Sequence, residues 1–140
     1  GSDTDKQQHE MHSQMILQGW GQDNPAFRQI FASIFMPDAS PEQVQWFNEL
    51  QRITTSPENA IRIRQTLDTI DVTDLLPRVT APTLVVHVRD EVVSPFEEGR
   101  LLASTIPGAR FVSLEGRNHL LLPQDPALAR ALAAIKDFLA

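Results

Sequence analysis

The sequence predicts an α/β fold in which helices predominate. Two short runs of β-branched and apolar residues, 82–88 and 110–114, are separated by a helix-forming stretch of the length that a parallel crossover needs. Amphipathic helical patterns precede this unit, and one more follows it. A right-handed crossover would place the two strands side by side and parallel. The sequence therefore predicts a helical region at 3–70 and a strand-helix-strand-helix region at 71–140.

The N-terminal segment, 3–19, predicts a largely polar helix. It contains His9 and His12, but the helical zinc motif needs two His four residues apart, and these are three apart. The chain has no Cys, which excludes thiolate metal sites. We therefore predict neither a metal site nor a cofactor.

The next helices have clear starting signals. After a turn at 21–25, apolar residues recur at helical spacing from Phe27 to Phe35. Ser40, with Gln43 three residues later, predicts a capping box that opens the second helix. Ser-Pro at 56–57 marks the start of a third helix in the same way. These helices would form one layer.

The second half of the chain contains the predicted sheet. Residues 71–77 predict a short helical approach to the first strand. Ser94 and Glu97 predict a capping box at the start of a crossover helix over 95–106. After the second strand and a loop, residues 123–126 predict the start of the final helix.

Two residues of catalytic type follow the two predicted strands. Asp90 comes just after the first strand and His119 follows the second. Ligands bind at the carboxyl edge of such sheets, and a carboxylate beside an imidazole fixes its tautomer. We therefore predict an acid and base pair, with Glu115 as the alternative carboxylate and His87 as a structural residue. Taken singly, Asp90 fits an ordinary turn role better, and His119 fits an ordinary loop role at least as well.

These segments resemble a known fold family. PTLVVHVRDEVVSP followed by PGARFVSLEGRNHLLL resembles the C-terminal third of an α/β-hydrolase. GWGQDNPAFRQIF and WFNELQRITTSPENA resemble the helical cap of hydrolase-like modules fused to bacterial cyclase or LuxR-type regulators. The resemblance covers nearly the whole chain. It implies an incomplete α/β-hydrolase fold in which Asp90 is the acid and His119 the base of an esterase-type Ser-His-Asp triad.

Several aromatic residues lie in the cap-like region, among them Trp20, Phe31 and Trp46. Packing between helices is the simpler interpretation of these side chains. The resemblance also implies that they roof a pocket for a small-molecule ester or another apolar ligand. Both interpretations remain open at the level of sequence.

The chain lacks the third member of a triad. The fold family places its nucleophile in a G-x-S-x-G turn, and the sequence has no such motif. Two parallel strands alone would also leave backbone groups unpaired along both outer edges. We therefore expect another chain to complete the sheet, with a homo-oligomer as the simplest case. Gly1-Ser2 is typical of a cloning scar, so we expect the native protein to continue upstream.

Composition limits the classes of partner. The net charge is −6 and no basic cluster occurs, which argues against nucleic acid and anionic membranes as partners. No apolar run has membrane-spanning length and no signal peptide pattern is present, so we expect a cytoplasmic chain. Three functional hypotheses remain: part of an esterase-type hydrolase, a catalytically silent ligand-sensing module of a regulatory protein, and a self-associating fragment.

Overall fold

A computed structural model of the chain describes residues 7, 10, 11, 14–16, 18–20 and 26–140. The elements from residue 26 onward are α1 (Ala26–Phe35), α2 (Pro41–Thr54), α3 (Pro57–Leu67), a 3-10 helix (Thr73–Arg78), β1 (Leu84–Val88), α4 (Phe96–Thr105), β2 (Arg110–Leu114) and α5 (Pro126–Leu139). Four features of the sequence analysis lie outside the described residues: His9, His12, the turn at 21–25 and the side chain of Phe27.

One compact unit comprises residues 40–70 and the described residues up to Ser33. The predicted capping box opens α2: the Ser40 hydroxyl accepts from the backbone N–H of Gln43 at 3.2 Å, and the Gln43 side chain accepts from the N–H of Ser40 at 2.9 Å. Helix α3 begins in the same way, since the Ser56 hydroxyl accepts a backbone N–H at 3.3 Å. Both helix starts are confirmed.

The helices of this unit expose apolar side chains. Trp46, Ile53 and Ile63 are 60%, 63% and 55% exposed, whereas Asn48 and Gln51 are buried. Packing between helices, the simpler interpretation of Trp46 in the sequence, therefore does not hold for this side chain.

The other compact unit comprises residues 34–39 and 71–140 and contains the sheet. Strands β1 and β2 pair in parallel, with Leu84 opposite Arg110 and Val88 opposite Leu114. Helix α4 makes the crossover and packs mainly on β1, while α5 packs on both strands. The predicted strand-helix-strand arrangement is confirmed.

The core of this unit is small. It consists of Val88, Leu114, Ala127 and Ala131, and Leu114 is completely buried. Most other strand residues are only partly buried, although runs of apolar residues are typical of strands buried on both faces. The physical reason is that the sheet in the described part of the chain has two strands, so no further strand flanks either of them.

The loop before α4 differs from the prediction. The helix begins at Phe96 with Pro95 at its N-cap and no side-chain cap, so the predicted Ser94 capping box is wrong. The N–H of Ser94 instead donates to the carboxylate of Glu91, at 3.1 Å from each oxygen. The Ser94 carbonyl lies 3.1 Å from Nε2 of His87. A residue expected to cap a helix thus forms part of the loop that holds Glu91.

Candidate active site

Glu91 carries a buried carboxylate at the carboxyl end of β1. Its side chain is 2% exposed. One oxygen, Oε2, accepts the backbone N–H of Val93 at 2.6 Å, and both oxygens accept the N–H of Ser94. Burying a carboxylate is unfavourable unless hydrogen bonds replace its lost hydration, and these two amides replace part of it. The loop therefore holds a charged group in one orientation.

His119 lies beside this carboxylate. Its Nδ1 is 3.4 Å from Oε2 of Glu91, and its side chain is 35% exposed. The ring is edge-on to Phe35, with centroids 5.4 Å apart, and the backbone N–H of His119 donates to the Phe35 carbonyl at 2.9 Å. With Nδ1 facing a carboxylate, the other ring nitrogen is the one left to exchange a proton with a substrate or nucleophile.

The loop before His119 is anchored by a buried amide. Asn118 is 3% exposed; its Oδ1 accepts the N–H of Asp38 at 3.0 Å, and its Nδ2 donates to both oxygens of Asp125 at 3.0 and 3.2 Å. Asp125 stands at the N-cap of α5 but makes no side-chain cap, since its carboxylate binds this loop instead. Arg117 pairs with Asp38, which raises the pKa of the Arg117 guanidinium.

The structure places the carboxylate of Glu91 beside His119, and the predicted role of Asp90 stays a prediction. Asp90 is exposed, and its backbone N–H donates to the Gly116 carbonyl at 3.1 Å, which continues the strand pairing beyond β1. The chain turns inward one residue later, so the carboxylate that reaches His119 belongs to Glu91. The alternative carboxylate, Glu115, is also displaced, since it is exposed and pairs with Arg89 at 3.2 Å.

A cleft of about 270 Å³ opens beside the pair. His119, Glu91 and His87 line it together with apolar side chains that include Leu102 and Leu121. His87, predicted to be structural, therefore reaches the site. Within the described ranges, no cluster of three or more His, Cys, Asp or Glu side chains is placed to hold a metal ion.

The three aromatic residues proposed to contact substrate belong to the other compact unit. The indole N–H of Trp20 donates to the Thr55 carbonyl at 2.9 Å, which gives this side chain a local structural role. Phe31 is half-buried. Trp46 is largely exposed and packs against Phe47, with ring centroids 6.5 Å apart. Their part in substrate binding stays a prediction.

Sequence comparison finds hydrolases. The chain is 29% identical over 149 aligned positions to a protein of Pseudomonas syringae named as the carbamate hydrolase RutD, covering 89% of this chain and 58% of the relative. A RutD protein of Pseudomonas savastanoi is 36% identical over 69 residues, which are 49% of this chain and 27% of that protein. No family model matches the chain.

Structural comparison agrees. An esterase from Exiguobacterium antarcticum superposes with a TM-score of 0.79 and 26% identity over 96% of this chain and 48% of its own. A thermophilic esterase from Thermogutta terrifontis superposes with a TM-score of 0.69 and 24% identity over 99% of this chain and 51% of its own. The chain has an incomplete α/β-hydrolase fold.

The α/β-hydrolase fold explains why the sheet is narrow. The chain spans roughly half the length of the relatives and solved structures it matches. The rest of an α/β-hydrolase sheet is therefore not represented in this sequence. Among the described residues, no helix combines the length and apolar character that crossing a membrane requires.

Proposed function

We propose that this chain is the C-terminal part of an esterase-type α/β-hydrolase and supplies the acid and base of its triad. The observation that carries the proposal is the buried Glu91 carboxylate, held by two backbone amides and facing Nδ1 of His119 at 3.4 Å. Glu91 takes the role that the sequence assigned to Asp90. The fold and the hydrolase names of the relatives support the hydrolase part of the proposal.

The chemistry divides between the two residues. The free ring nitrogen of His119 takes the proton of a hydroxyl nucleophile as that oxygen attacks a carbonyl carbon, and later gives the proton to the leaving group. Glu91 keeps the ring in the tautomer that leaves Nε2 free, and it stabilises the imidazolium that forms. The distance of 3.4 Å is longer than a well-formed hydrogen bond, as is common before a substrate closes the site.

The nucleophile and the oxyanion donors would come from a segment upstream of residue 3. In this fold they are supplied by a G-x-S-x-G turn and an earlier loop, and the sequence contains no such motif. The apolar part of the cleft suits the acyl or alkyl part of a small ester or carbamate. We choose esters and carbamates as the substrate class because the relatives are named as an esterase and a carbamate hydrolase.

The test is expression of the native gene from its own start, followed by p-nitrophenyl ester turnover. We expect the longer protein to be active and residues 3–140 alone to show no turnover above background. Glu91→Gln should lower kcat by about 10⁴-fold and His119→Ala by about 10⁶-fold. The matched control is Asp90→Asn, which removes the neighbouring carboxylate and should leave kcat nearly unchanged. Inactivity of the longer protein would refute the hydrolase assignment, and loss of activity in Asp90→Asn alone would restore Asp90 as the acid.

A second candidate is a catalytically silent sensor module of a regulatory protein, of the kind fused to cyclase or LuxR-type domains. The resemblance of the cap-like segments to such modules supports it. Such a protein would keep the cleft and bind an apolar ligand without turning it over. The native gene decides between the two, since a silent module would lack G-x-S-x-G upstream and would show no turnover.

We also propose that the isolated chain self-associates. In the described sheet, β1 and β2 each have one outer edge without a neighbouring strand, and apolar side chains of the helical unit are exposed. Unpaired strand edges and apolar surface both favour association, and a symmetric dimer is its commonest form.

A further inference from the structure

A second histidine lies against the Glu91 carboxylate, opposite His119. Nε2 of His87 is 3.1 Å from Oε1 of Glu91, while Nδ1 of His119 faces Oε2. The His87 side chain is 11% exposed, so this contact is buried. Each imidazole therefore meets a different oxygen of the same carboxylate.

The neighbours of His87 fix which ring nitrogen carries its hydrogen. Nε2 also lies 3.1 Å from the carbonyl oxygen of Ser94. A carbonyl and an ionised carboxylate are both acceptors, so we assign the hydrogen to Nε2. It donates to the Ser94 carbonyl, and Oε1 of Glu91 lies equally close to the same nitrogen, at 3.1 Å. The ring is held edge-on against Phe96, with centroids 5.5 Å apart.

We propose that His87 is a positioning residue that fixes the Glu91 carboxylate so that Oε2 faces His119. The role rests on the proposed function, in which Glu91 orients the catalytic base. A Glu side chain has one more rotatable bond than Asp, so its carboxylate needs more restraint to present one oxygen in one direction. The amides of Val93 and Ser94 hold Oε2, whereas among the described residues Oε1 contacts only the shared Ser94 amide and His87. Without His87 the carboxylate could turn away from His119.

Gly99 explains how the ring is accommodated. This glycine lies inside α4, where Gly is less favourable than Ala. A Cβ atom at this position would lie 2.5 Å from Nδ1 of His87 and 3.0 Å from Cγ. Those atoms belong to the base of a ring packed on Phe96 and Ser94, so the ring itself would have to move. The helix therefore has a residue of low helix propensity at the position where a larger side chain would collide with His87.

The test compares two substitutions of equal length. The side-chain amide of Gln places a donor near the position of Nε2, whereas Met fills similar space without a donor. His119 is observed by long-range ¹H–¹⁵N correlation of the imidazole rings in the purified chain, in buffer alkaline enough to keep the rings neutral. We expect His119 to be mainly in the Nδ1–H form in the unchanged protein and in His87→Gln. In His87→Met that population should fall by about half or more, toward the distribution of a free imidazole.

A purely structural role predicts a different pattern. If His87 only fills space, one of two results follows. Either His87→Met leaves the His119 tautomer unchanged, or the Nδ1–H form of His119 falls as much in His87→Gln as in His87→Met. Either result overturns the proposal. Should His87→Met fail to fold, Gly99→Ala tests the same point by displacing the ring: a shift of the His119 tautomer supports positioning, and an unchanged tautomer refutes it.

The readout is independent of hydrolysis. If the tautomer responds as expected while the longer native protein turns over no ester, His87 still positions Glu91 and only the hydrolase assignment fails. If the longer protein is active but the His119 tautomer does not change when His87 is replaced, the positioning role is refuted and the hydrolase assignment stands. In an active protein, His87→Met should lower kcat with little change in KM, and His87→Gln should restore it.

Discussion

Replacing Asn118 by Ala would test how firmly the loop that carries His119 is anchored. The Asn118 amide is buried and bonds a backbone N–H on one side and a carboxylate on the other. A hydrogen bond to a neutral group contributes about 1 kcal/mol and one to a charged group about 1.5 to 3 kcal/mol. Asp38 is exposed and Asp125 half-buried, so water would replace part of both bonds.

We therefore expect Asn118→Ala to lower the free energy of unfolding by about 2 kcal/mol. For a chain of this length that corresponds to a fall in Tm of about 7 °C. Unfolding should be followed through backbone amide signals of β1 and β2, because both tryptophans belong to the other compact unit. Hydrogen exchange of the His119 amide, which donates to the Phe35 carbonyl, should become faster by at least the factor expected from the loss of global stability.

The control is Arg117→Ala, which removes the neighbouring exposed ion pair to Asp38 and should change stability little. A free energy of unfolding for Asn118→Ala within about 0.5 kcal/mol of the unchanged protein, the range of an ordinary surface substitution, would show that the network is not an anchor.

Three further predictions concern the core, an exposed carboxylate and the oligomeric state. Leu114→Ala empties the one completely buried position of β2 and should lower the free energy of unfolding by about 2 to 5 kcal/mol; a change below about 1 kcal/mol would contradict the core described for this unit. The backbone N–H and the hydroxyl of Thr73 donate to the Asp71 carboxylate and lower its pKa in the folded state. These bonds therefore stabilise the fold at pH values above the pKa of Asp71 in the unfolded chain, and the stabilisation is lost as the pH falls through the lower pKa of the folded state. Thr73→Val should raise the Asp71 pKa part of the way back in a carboxyl NMR titration, and an unchanged value would refute the assignment. Light scattering of the isolated chain should give a mass above that of one copy, whereas a monomer that persists at high concentration would contradict the proposed self-association.

The strand-helix-strand unit was predictable because its signals are local and redundant. The apolar runs, the crossover length and the Pro-Gly turn all indicate the same arrangement, and the parallel pairing follows from chirality. The Ser40 capping box was predictable for the same reason, since its two partners lie three residues apart on a helix.

The carboxylate of the site was not predictable from the same reasoning. Asp90 and Glu91 are neighbours, and the alternation that assigns strand residues to faces ends where the chain leaves the sheet. One signal was available. Val93 and Ser94 lie just before Pro95, and their backbone N–H groups have no partner within a helix. A carboxylate two or three residues upstream is therefore well placed to accept hydrogen bonds from them. The Ser94 capping prediction failed because this competing acceptor takes the same amide.

The main-chain pairing that continues past the strands has a consequence for engineering. The N–H of Arg89 donates to the Leu114 carbonyl at 2.8 Å and the N–H of Asp90 to the Gly116 carbonyl at 3.1 Å, so backbone hydrogen bonds hold the two loops together. The Asp90 side chain is exposed and can be randomised in a library without disturbing the distance between Glu91 and His119, whereas Arg89 pairs with Glu115 and lies over the Phe96 ring. Gly116 cannot be randomised in the same way, because its φ of +140° is a conformation that other residues rarely adopt. Diversity at position 90 with 116 held fixed would therefore vary an exposed residue next to Glu91 while the acid and base of the site keep their geometry.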